Sequence, residues 1–195
     1  MITKSNLRNM LLSIGYNSDD KKNIYIKKYP HFDCEIAVNF NGNGTIKYPE
    51  DKGLKITYHT TCNFSDNENF VVLECVTRLM DKGYRPEDIE LEKVWTLGHD
   101  AKGGRADICV YGQDRKTLFI VECKTFGKEY GKEYNNTVND GGQIFSYWQQ
   151  ERSCQFVAIY ASDFDGEKIK YEIESINCKD DANIATLAKK DTSIH

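Results

Sequence analysis

The chain has 195 residues, 39% of them hydrophobic and 29% charged, and its formal net charge at pH 7 is -4. This length accommodates one domain with a sizeable core, or one domain with a small appendage. The sequence contains no run of ~18 apolar residues and no apolar N-terminal stretch, so we expect a cytoplasmic protein without membrane association. Its seven cysteines form no Cys-x-x-Cys pair, and we interpret them as reduced core residues.

The first 62 residues predict a helix followed by strands. Residues 5–15 carry apolar side chains at helical spacing, with Ser5 as the N-cap and Gly15 at the end. Segments of strand-like composition follow between residues 23 and 60, and we interpret them as an antiparallel meander. His31 and His59 lack ligand spacing to their neighbours, so surface positions are expected for both.

A buried helix is predicted next, over residues 65–83. Ser65-Asp66-Asn67-Glu68 has the form of a capping box at its start, and Gly83 ends it. Residues 91–97 then predict a strand, and residues 98–104 predict a flexible loop. The glycines of this loop permit close backbone approach to a ligand, and they equally suit an ordinary turn.

Two strands with a polar turn follow, because apolar and polar residues alternate with period two over residues 106–111 and 118–124. If Tyr111 pairs with Leu118, the antiparallel register places Asp107 opposite Glu122. Glu122 and Lys124 share one face of the sheet. Two carboxylates and one ammonium therefore cluster on otherwise apolar strands, where unpaired charge is costly.

Such a cluster suits the hydrolysis of phosphodiester bonds. Asp107, Glu122 and the backbone carbonyl of Cys123 offer the oxygen ligands that Mg²⁺ requires, with Mn²⁺ as a substitute. The ion polarises the phosphoryl group and lowers the pKa of a bound water. Lys124 then orients or deprotonates that water and balances negative charge. The alternative is a hairpin whose charged residues simply face solvent.

After Lys124, residues 127–139 predict a polar and aromatic loop, and a helix is expected from near Asp140. On that helix Gln143 and Tyr147 are four residues apart and share one face. The amide suits a water or a phosphate oxygen. The phenol suits hydrogen bonding to a nucleotide or stacking on it, although core packing explains Tyr147 equally well. Residues 155–161 and 168–173 predict two further strands, and the tail from residue 180 is polar with a weak helical stretch.

These residues carry a resemblance to a known family. Gly104-Arg105-Ala106-Asp107 and Ile120-Val121-Glu122-Cys123-Lys124 resemble the Asp…Glu-x-Lys motif of the PD-(D/E)XK nucleases, with Ala106 where proline is usual. Gln143-Ile144-Phe145-Ser146-Tyr147 is similar to the Gln-x-x-x-Tyr element in the nuclease domains of recombination helicases and type I restriction enzymes. Residues 65–165 most resemble the N-terminal nuclease domain of type I restriction R subunits.

The resemblance implies a restriction-endonuclease-like, three-layer α/β/α fold with a mixed central sheet. It implies a nuclease core over residues 63–178, with residues 1–62 as a β-rich appendage packed on it and residues 179–195 as a tail or a linker to further domains. It also implies that a glutamate of the first helix of the core completes the metal site as an outer ligand, for which Glu68 is the leading candidate and Glu74 the weaker one.

The function implied by the resemblance is Mg²⁺-dependent cleavage of double-stranded DNA in a restriction-modification system. A catalytically inactive nuclease-like module, which docks DNA or a partner subunit, is the alternative. Residues 93–132 hold eight basic and five acidic residues, a net charge of +3 in a chain of -4. We therefore expect a cutting domain with a weak grip on DNA, which depends on helicase, methyltransferase or specificity domains or subunits.

Overall fold

A computed structural model describes residues 1–97, 101–140 and 142–183. Within these ranges the chain forms four α-helices and ten strands. The helices are α1 (Leu7–Ser13), α2 (Glu68–Asp81), α3 (Lys128–Asp140) and α4 (Gly142–Gln150). The strands are β1 (Asn17–Asp19), β2 (Ile24–Tyr29), β3 (Cys34–Asn39), β4 (Thr45–Lys47), β5 (Lys55–Ile56), β6 (Ile89–Leu97), β7 (Ala101–Tyr111), β8 (Thr117–Thr125), β9 (Phe156–Phe164) and β10 (Ile169–Asn177).

The strands form two sheets. Strands β1 to β4 pair in chain order as a four-stranded antiparallel sheet. The second sheet has six strands in the order β10-β9-β8-β7-β6-β5. It is mixed, because the β8–β9 and β5–β6 pairs are parallel and the other pairs are antiparallel. The predicted meander is wrong at its end, since β5 joins the six-stranded sheet instead of the N-terminal one.

Helices cover both faces of the six-stranded sheet, which confirms the predicted layered α/β architecture. On one face, α2 buries Phe70 in a cluster that also contains Val121 of β8 and Tyr160 of β9. On the other face, α4 buries Trp148 against Ile120 and other apolar residues of the sheet. Burial of each large apolar side chain stabilises the fold by roughly 1.5–3 kcal/mol. The alternation of side chains along β8 divides its residues between these two clusters.

The four-stranded sheet packs against the α2 side of the molecule. Ile36 and Val38 of β3 belong to the same buried cluster as Phe70, and the Tyr16 and Thr77 hydroxyls are 2.9 Å apart. The division of the chain at residues 62 and 178 stays a prediction. No helix in the described ranges combines the length and hydropathy needed to cross a bilayer.

Three local predictions are wrong. Residues 128–140 form helix α3 where a loop was expected, and β7 already begins at Ala101, inside the predicted 98–104 loop. Helix α1 begins at Leu7, with Asn6 rather than Ser5 at the N-cap position. Residues 98–100 of the loop, and residues 184–195 of the polar tail, lie outside the described residues.

Candidate active site

The hairpin of β7 and β8 brings the predicted carboxylates together. Ile108 pairs with Val121, Cys109 with Ile120 and Val110 with Phe119, which confirms the predicted register over these residues. The register shifts at the turn, so Tyr111 pairs with Thr117 and the predicted Tyr111–Leu118 pair is wrong. The ladder ends at the Ile108–Val121 pair, so Asp107 and Glu122, the next residues along the two strands, follow it without being paired.

Asp107 lies where the pairing of β7 and β8 ends. Its Oδ2 accepts a hydrogen bond of 2.7 Å from the backbone N–H of Cys123. A side-chain oxygen thus takes the place that a backbone carbonyl would have in a continued ladder. The two strands therefore part at Asp107, and its carboxylate lies between them.

Glu122, Lys124 and Glu68 form a chain of charges beside Asp107. Lys124 Nζ is 2.5 Å from Glu122 Oε1 and 3.5 Å from Glu68 Oε2. The Glu122 side chain is 3% exposed and that of Lys124 is 15% exposed, so their attraction is weakly screened by water. Lys124 thereby links the carboxylate of Glu122 on β8 to the carboxylate of Glu68 on α2.

The capping box predicted at Glu68 is wrong. Helix α2 begins at Glu68, its N-cap residue Asn67 makes no side-chain capping bond, and the Glu68 N–H donates to Asp66 Oδ1 at 3.0 Å. The Glu68 carboxylate instead faces Lys124. Glu74, the other helix candidate, lies away from the cluster, because its carboxylate bonds to Arg78 and Tyr160.

Helix α4 places Tyr147 on the second oxygen of Glu122. The Tyr147 hydroxyl is 2.6 Å from Glu122 Oε2 and 2.6 Å from the Arg105 carbonyl oxygen, and its one proton can be donated to only one of them at a time. The ring is 1% exposed and stacks on Trp95 at 5.6 Å. The buried ring has no face for a nucleotide, so the predicted stacking is not supported, whereas both core packing and hydrogen bonding at the site are observed.

Gln143 lies at the entrance of the site. Its side chain is exposed, and Nε2 is 3.3 Å from the Tyr147 hydroxyl. Its backbone N–H donates to Glu133 Oε1 of α3 at 3.0 Å. The amide is therefore held beside the buried phenol while it still faces solvent.

Glu133 is a residue of this region that sequence reasoning missed. It is 7% exposed and fixes the start of α4 through Gln143. A Cβ at Gly142, where φ is +53°, would lie 2.7 Å from Glu133 Oε1, so the left-handed backbone and the close approach favour glycine. The four-residue spacing of Tyr130 and Tyr134, which stack along α3, was the sequence signal for the helix that carries Glu133.

Burial and mutual repulsion shift the ionisation of the acidic groups. The pKa of Asp107 is well above its ordinary value because of burial and then the charges of Glu122 and Glu68. Burial also raises the pKa of Glu122 and of Glu68, although Lys124 opposes both shifts. Burial alone would lower the pKa of Lys124, but the attraction of Glu122 raises it above its ordinary value. The contacts of Lys124 with Glu122 and Glu68 thus favour its ammonium form, and its predicted role of orienting or deprotonating a water stays a prediction.

The donor chemistry of the site fits a hard divalent cation. Asp107 is half-buried and Glu122 is buried, and the proximity of these two carboxylates is costly without a compensating charge. Both Glu122 oxygens already have partners, Lys124 on one and Tyr147 on the other. Among the described residues, no three His, Cys, Asp or Glu side chains converge as a ready metal-binding group. Each carboxylate oxygen carries two lone pairs, so the contacts with Lys124 and Tyr147 leave lone pairs of Glu122 for a cation.

The raised pKa of Asp107 predicts that this carboxylate destabilises the metal-free domain at neutral pH. Below the ordinary pKa the group is protonated in the folded and unfolded states, and the cost develops as pH rises toward the folded-state value. Asp107→Asn is therefore expected to raise the free energy of unfolding near pH 7.5 by about 1 kcal/mol. The gain should shrink near pH 4. Urea unfolding in EDTA at both pH values measures it.

Asp114→Asn is the matched control for that measurement. Asp114 lies in the turn of the same hairpin, and its pKa is lowered by hydrogen bonds from Lys116. Its replacement is expected to give no gain in stability. A variant Asp107→Asn that is less stable than wild type at neutral pH would contradict the charge repulsion inferred at Asp107.

A mixed sheet between helices, with carboxylates and a lysine at the open end of a hairpin, is consistent with the α/β fold of nucleases. Residues 67–162 match the model of the family described as type I restriction enzyme R protein N terminus. This segment runs from the residue before α2 into β9 and contains every candidate site residue. No curated protein matches the chain. The family match supports a nuclease-related domain of a restriction-modification system.

Proposed function

We propose that the chain is a Mg²⁺-dependent deoxyribonuclease domain that cleaves double-stranded DNA in a restriction-modification system. The observation that carries this proposal is the convergence of Asp107, Glu122 and Lys124 at the point where β7 and β8 part. Their order and spacing resemble the PD-(D/E)XK motif, with Ala106 where proline is usual, and they lie inside the segment that matches the R protein family. Paired carboxylates with an adjacent ammonium suit phosphodiester hydrolysis.

Asp107 and Glu122 would hold the cation, with the Cys123 carbonyl as a third oxygen and Glu68 as an outer ligand. A bound divalent cation supplies polarisation of the phosphoryl group and acidification of a water. Glu68 is suited to the outer position, because it reaches the cluster from α2 through Lys124.

The other side chains position charge and hydrogen bonds. The raised pKa of Lys124 keeps an ammonium beside the reacting phosphate, where it balances the negative charge of the transition state. Tyr147 holds the Glu122 carboxylate from the α4 side. The exposed amide of Gln143 is placed to hold a water or a phosphate oxygen.

Asp107→Ala is expected to weaken divalent cation binding strongly, because it removes one of the two strand carboxylates of the site. Calorimetric titration with Mn²⁺ should show one class of site in wild type and a loss of at least about tenfold in affinity in the variant. Asp114→Ala, in the exposed turn of the same hairpin, serves as the control and should bind like wild type. Unchanged binding in Asp107→Ala would reject Asp107 as a ligand.

A second candidate function is a catalytically inactive module that docks DNA or a partner subunit. The observation that favours it is that Lys124 balances the charge of Glu122 and Tyr147 bonds its other oxygen, so this carboxylate is satisfied without a cation. Plasmid nicking by the purified domain, in Mg²⁺ and in Mn²⁺, separates the two functions. Cleavage that disappears in Asp107→Ala supports the nuclease, whereas a wild-type domain that binds DNA without nicking it supports the docking module.

The proposed partners follow from the same reasoning. The chain has an overall negative charge, which opposes binding to DNA. Non-specific electrostatic binding to DNA typically gives dissociation constants of ~10⁻⁴ to 10⁻⁶ M at physiological salt, and we expect no tighter binding here. Restriction requires far greater discrimination between sequences. We therefore propose that this domain acts together with helicase, methyltransferase or specificity domains or subunits.

A further inference from the structure

An ion pair between Arg105 and Glu92 adjoins the candidate active site. Arg105 Nε lies 2.7 Å from Glu92 Oε2. The side chains differ sharply in environment, since that of Glu92 is 2% exposed and that of Arg105 is 50% exposed. The contact is ionic, and Glu92 Oε2 has no aligned hydrogen-bond donor among the described residues. A buried acid thus holds a cation that still faces solvent.

Glu92 reaches this position through an unusual backbone conformation. Its φ is +56°, a left-handed value that non-glycine residues seldom adopt. Leu91 pairs with Ile108 and Lys93 pairs with Ala106, while Glu92 between them has no paired partner on β7. Burial raises the pKa of Glu92, and a hydrogen bond from Thr60 and the charge of Arg105 oppose that shift. Strained residues of this kind concentrate at functional sites.

The backbone of Arg105 is part of the site itself. Tyr147 is 2.6 Å both from the Arg105 carbonyl oxygen and from Glu122 Oε2, so those two oxygens are separated by at most twice that distance. Arg105 also precedes Asp107 by two residues on β7, a Cα separation of roughly 7 Å in a strand. Lys124, the cation of the cluster, is already engaged by Glu122 and Glu68.

We propose that Arg105 binds a non-scissile phosphate of the DNA strand that enters the site, with Glu92 as the residue that holds the guanidinium in place. The shortest contact of Glu92 is with Nε, and the Arg105 side chain is 50% exposed, so the guanidinium can present its planar fork to a phosphate. Phosphates recur every ~3.4 Å of helix axis along one strand. The position of Arg105 therefore suits a phosphate one or two nucleotides from the cleaved bond. This inference rests on the proposed nuclease function.

Arg105→Gln tests the proposal through the salt dependence of DNA binding. Fluorescence anisotropy with a labelled 25-base-pair duplex, in Ca²⁺ and at several salt concentrations, gives the affinity and its salt slope. Loss of one phosphate contact is expected to weaken binding about fivefold to tenfold and to reduce the slope by about one. Arg105→Lys should keep the slope of wild type while losing part of the affinity, because the charge remains and the fork does not.

Arg115→Gln is the matched control. Arg115 is equally exposed, at 50%, and pairs with Asp88, but it lies in the turn at the opposite end of the hairpin. It should bind DNA like wild type, and an equal loss in both variants would mean that only overall charge matters. If Arg105→Gln fails to fold, the double variant Glu92→Gln/Arg105→Gln removes the unpaired buried acid and permits the same measurement.

The outcomes separate this inference from the nuclease proposal. An Arg105→Gln variant with the affinity and salt slope of wild type rejects the phosphate contact, even if wild type cleaves DNA. A wild-type domain whose binding depends on Arg105 but which never cleaves rejects the nuclease proposal alone. Absence of any wild-type binding at low salt overturns the role of Arg105.

Discussion

Lys124→Ala is expected to lower the rate of DNA cleavage by at least about 100-fold, the scale of losing a positioned charge or proton-transfer group. The Lys124 ammonium is 2.5 Å from Glu122 and 3.5 Å from Glu68, and its raised pKa keeps it charged. Removing it leaves the growing negative charge of the phosphate without the cationic side chain of the cluster. Single-turnover nicking of supercoiled plasmid in Mg²⁺ measures the loss.

Retention of the fold is part of that prediction. The carboxylates left behind can take up protons, since burial already raises the pKa of Asp107 and Glu122. The circular dichroism spectrum and the cooperativity of unfolding should therefore resemble those of wild type. Lys116→Ala removes an exposed lysine from the turn before β8 and should leave cleavage unchanged. Nicking by Lys124→Ala within about threefold of wild type would remove Lys124 from the proposed chemistry.

The central hairpin was predictable because strand periodicity is a local property. Alternation over residues 106–111 and 118–124 predicted which side chains share a face, and the assumed Tyr111–Leu118 pair gave the register that Ile108–Val110 adopt. The error at Tyr111, which pairs with Thr117, did not propagate to Asp107. A register shift in the turn changed which residues close the hairpin and left the pairing toward the site intact.

Helix α3 was not predictable in the same way. Its sequence contains Gly131 and two consecutive asparagines, which have weak helix propensity. Tertiary packing overrides that preference, because Glu133 and Thr137 are buried on the side that meets α4. The partner of Glu68 also depends on how α2 packs on β8, so the sequence alone offered capping as an equally good explanation.

The pair of Glu92 and Arg105 shows a further limit of pattern reasoning. The positive φ of Glu92 interrupts the alternation of β6, and a non-glycine residue carries no sequence signal for such a conformation. In the sequence, Arg105 is notable only for its position two residues before Asp107 in the segment that resembles the nuclease motif. Its environment depends on a residue 13 positions earlier on another strand, and only the folded structure brings the two together.

Tyr147→Phe and Tyr147→Ala are expected to separate the two roles of this side chain. Phenylalanine keeps the ring that stacks on Trp95 but removes the hydroxyl that is 2.6 Å from Glu122 and from the Arg105 carbonyl. We expect a loss of about 1–2 kcal/mol in the free energy of unfolding and about tenfold slower cleavage. The KM for DNA should stay near its wild-type value, because a side chain that is 1% exposed does not touch the substrate.

Alanine at position 147 also removes the ring, and the resulting cavity is expected to cost about 3–5 kcal/mol. Urea unfolding and single-turnover cleavage of both variants separate the hydroxyl from the packing. Tyr48→Phe is the matched control, since Tyr48 is also 1% exposed and its hydroxyl has no partner among the described residues. That variant should be as stable as wild type or more stable, because an unpaired buried hydroxyl is removed. If Tyr147→Phe matched wild type in both stability and cleavage, the hydroxyl would have no part in holding Glu122, and Tyr147 would be a core residue alone.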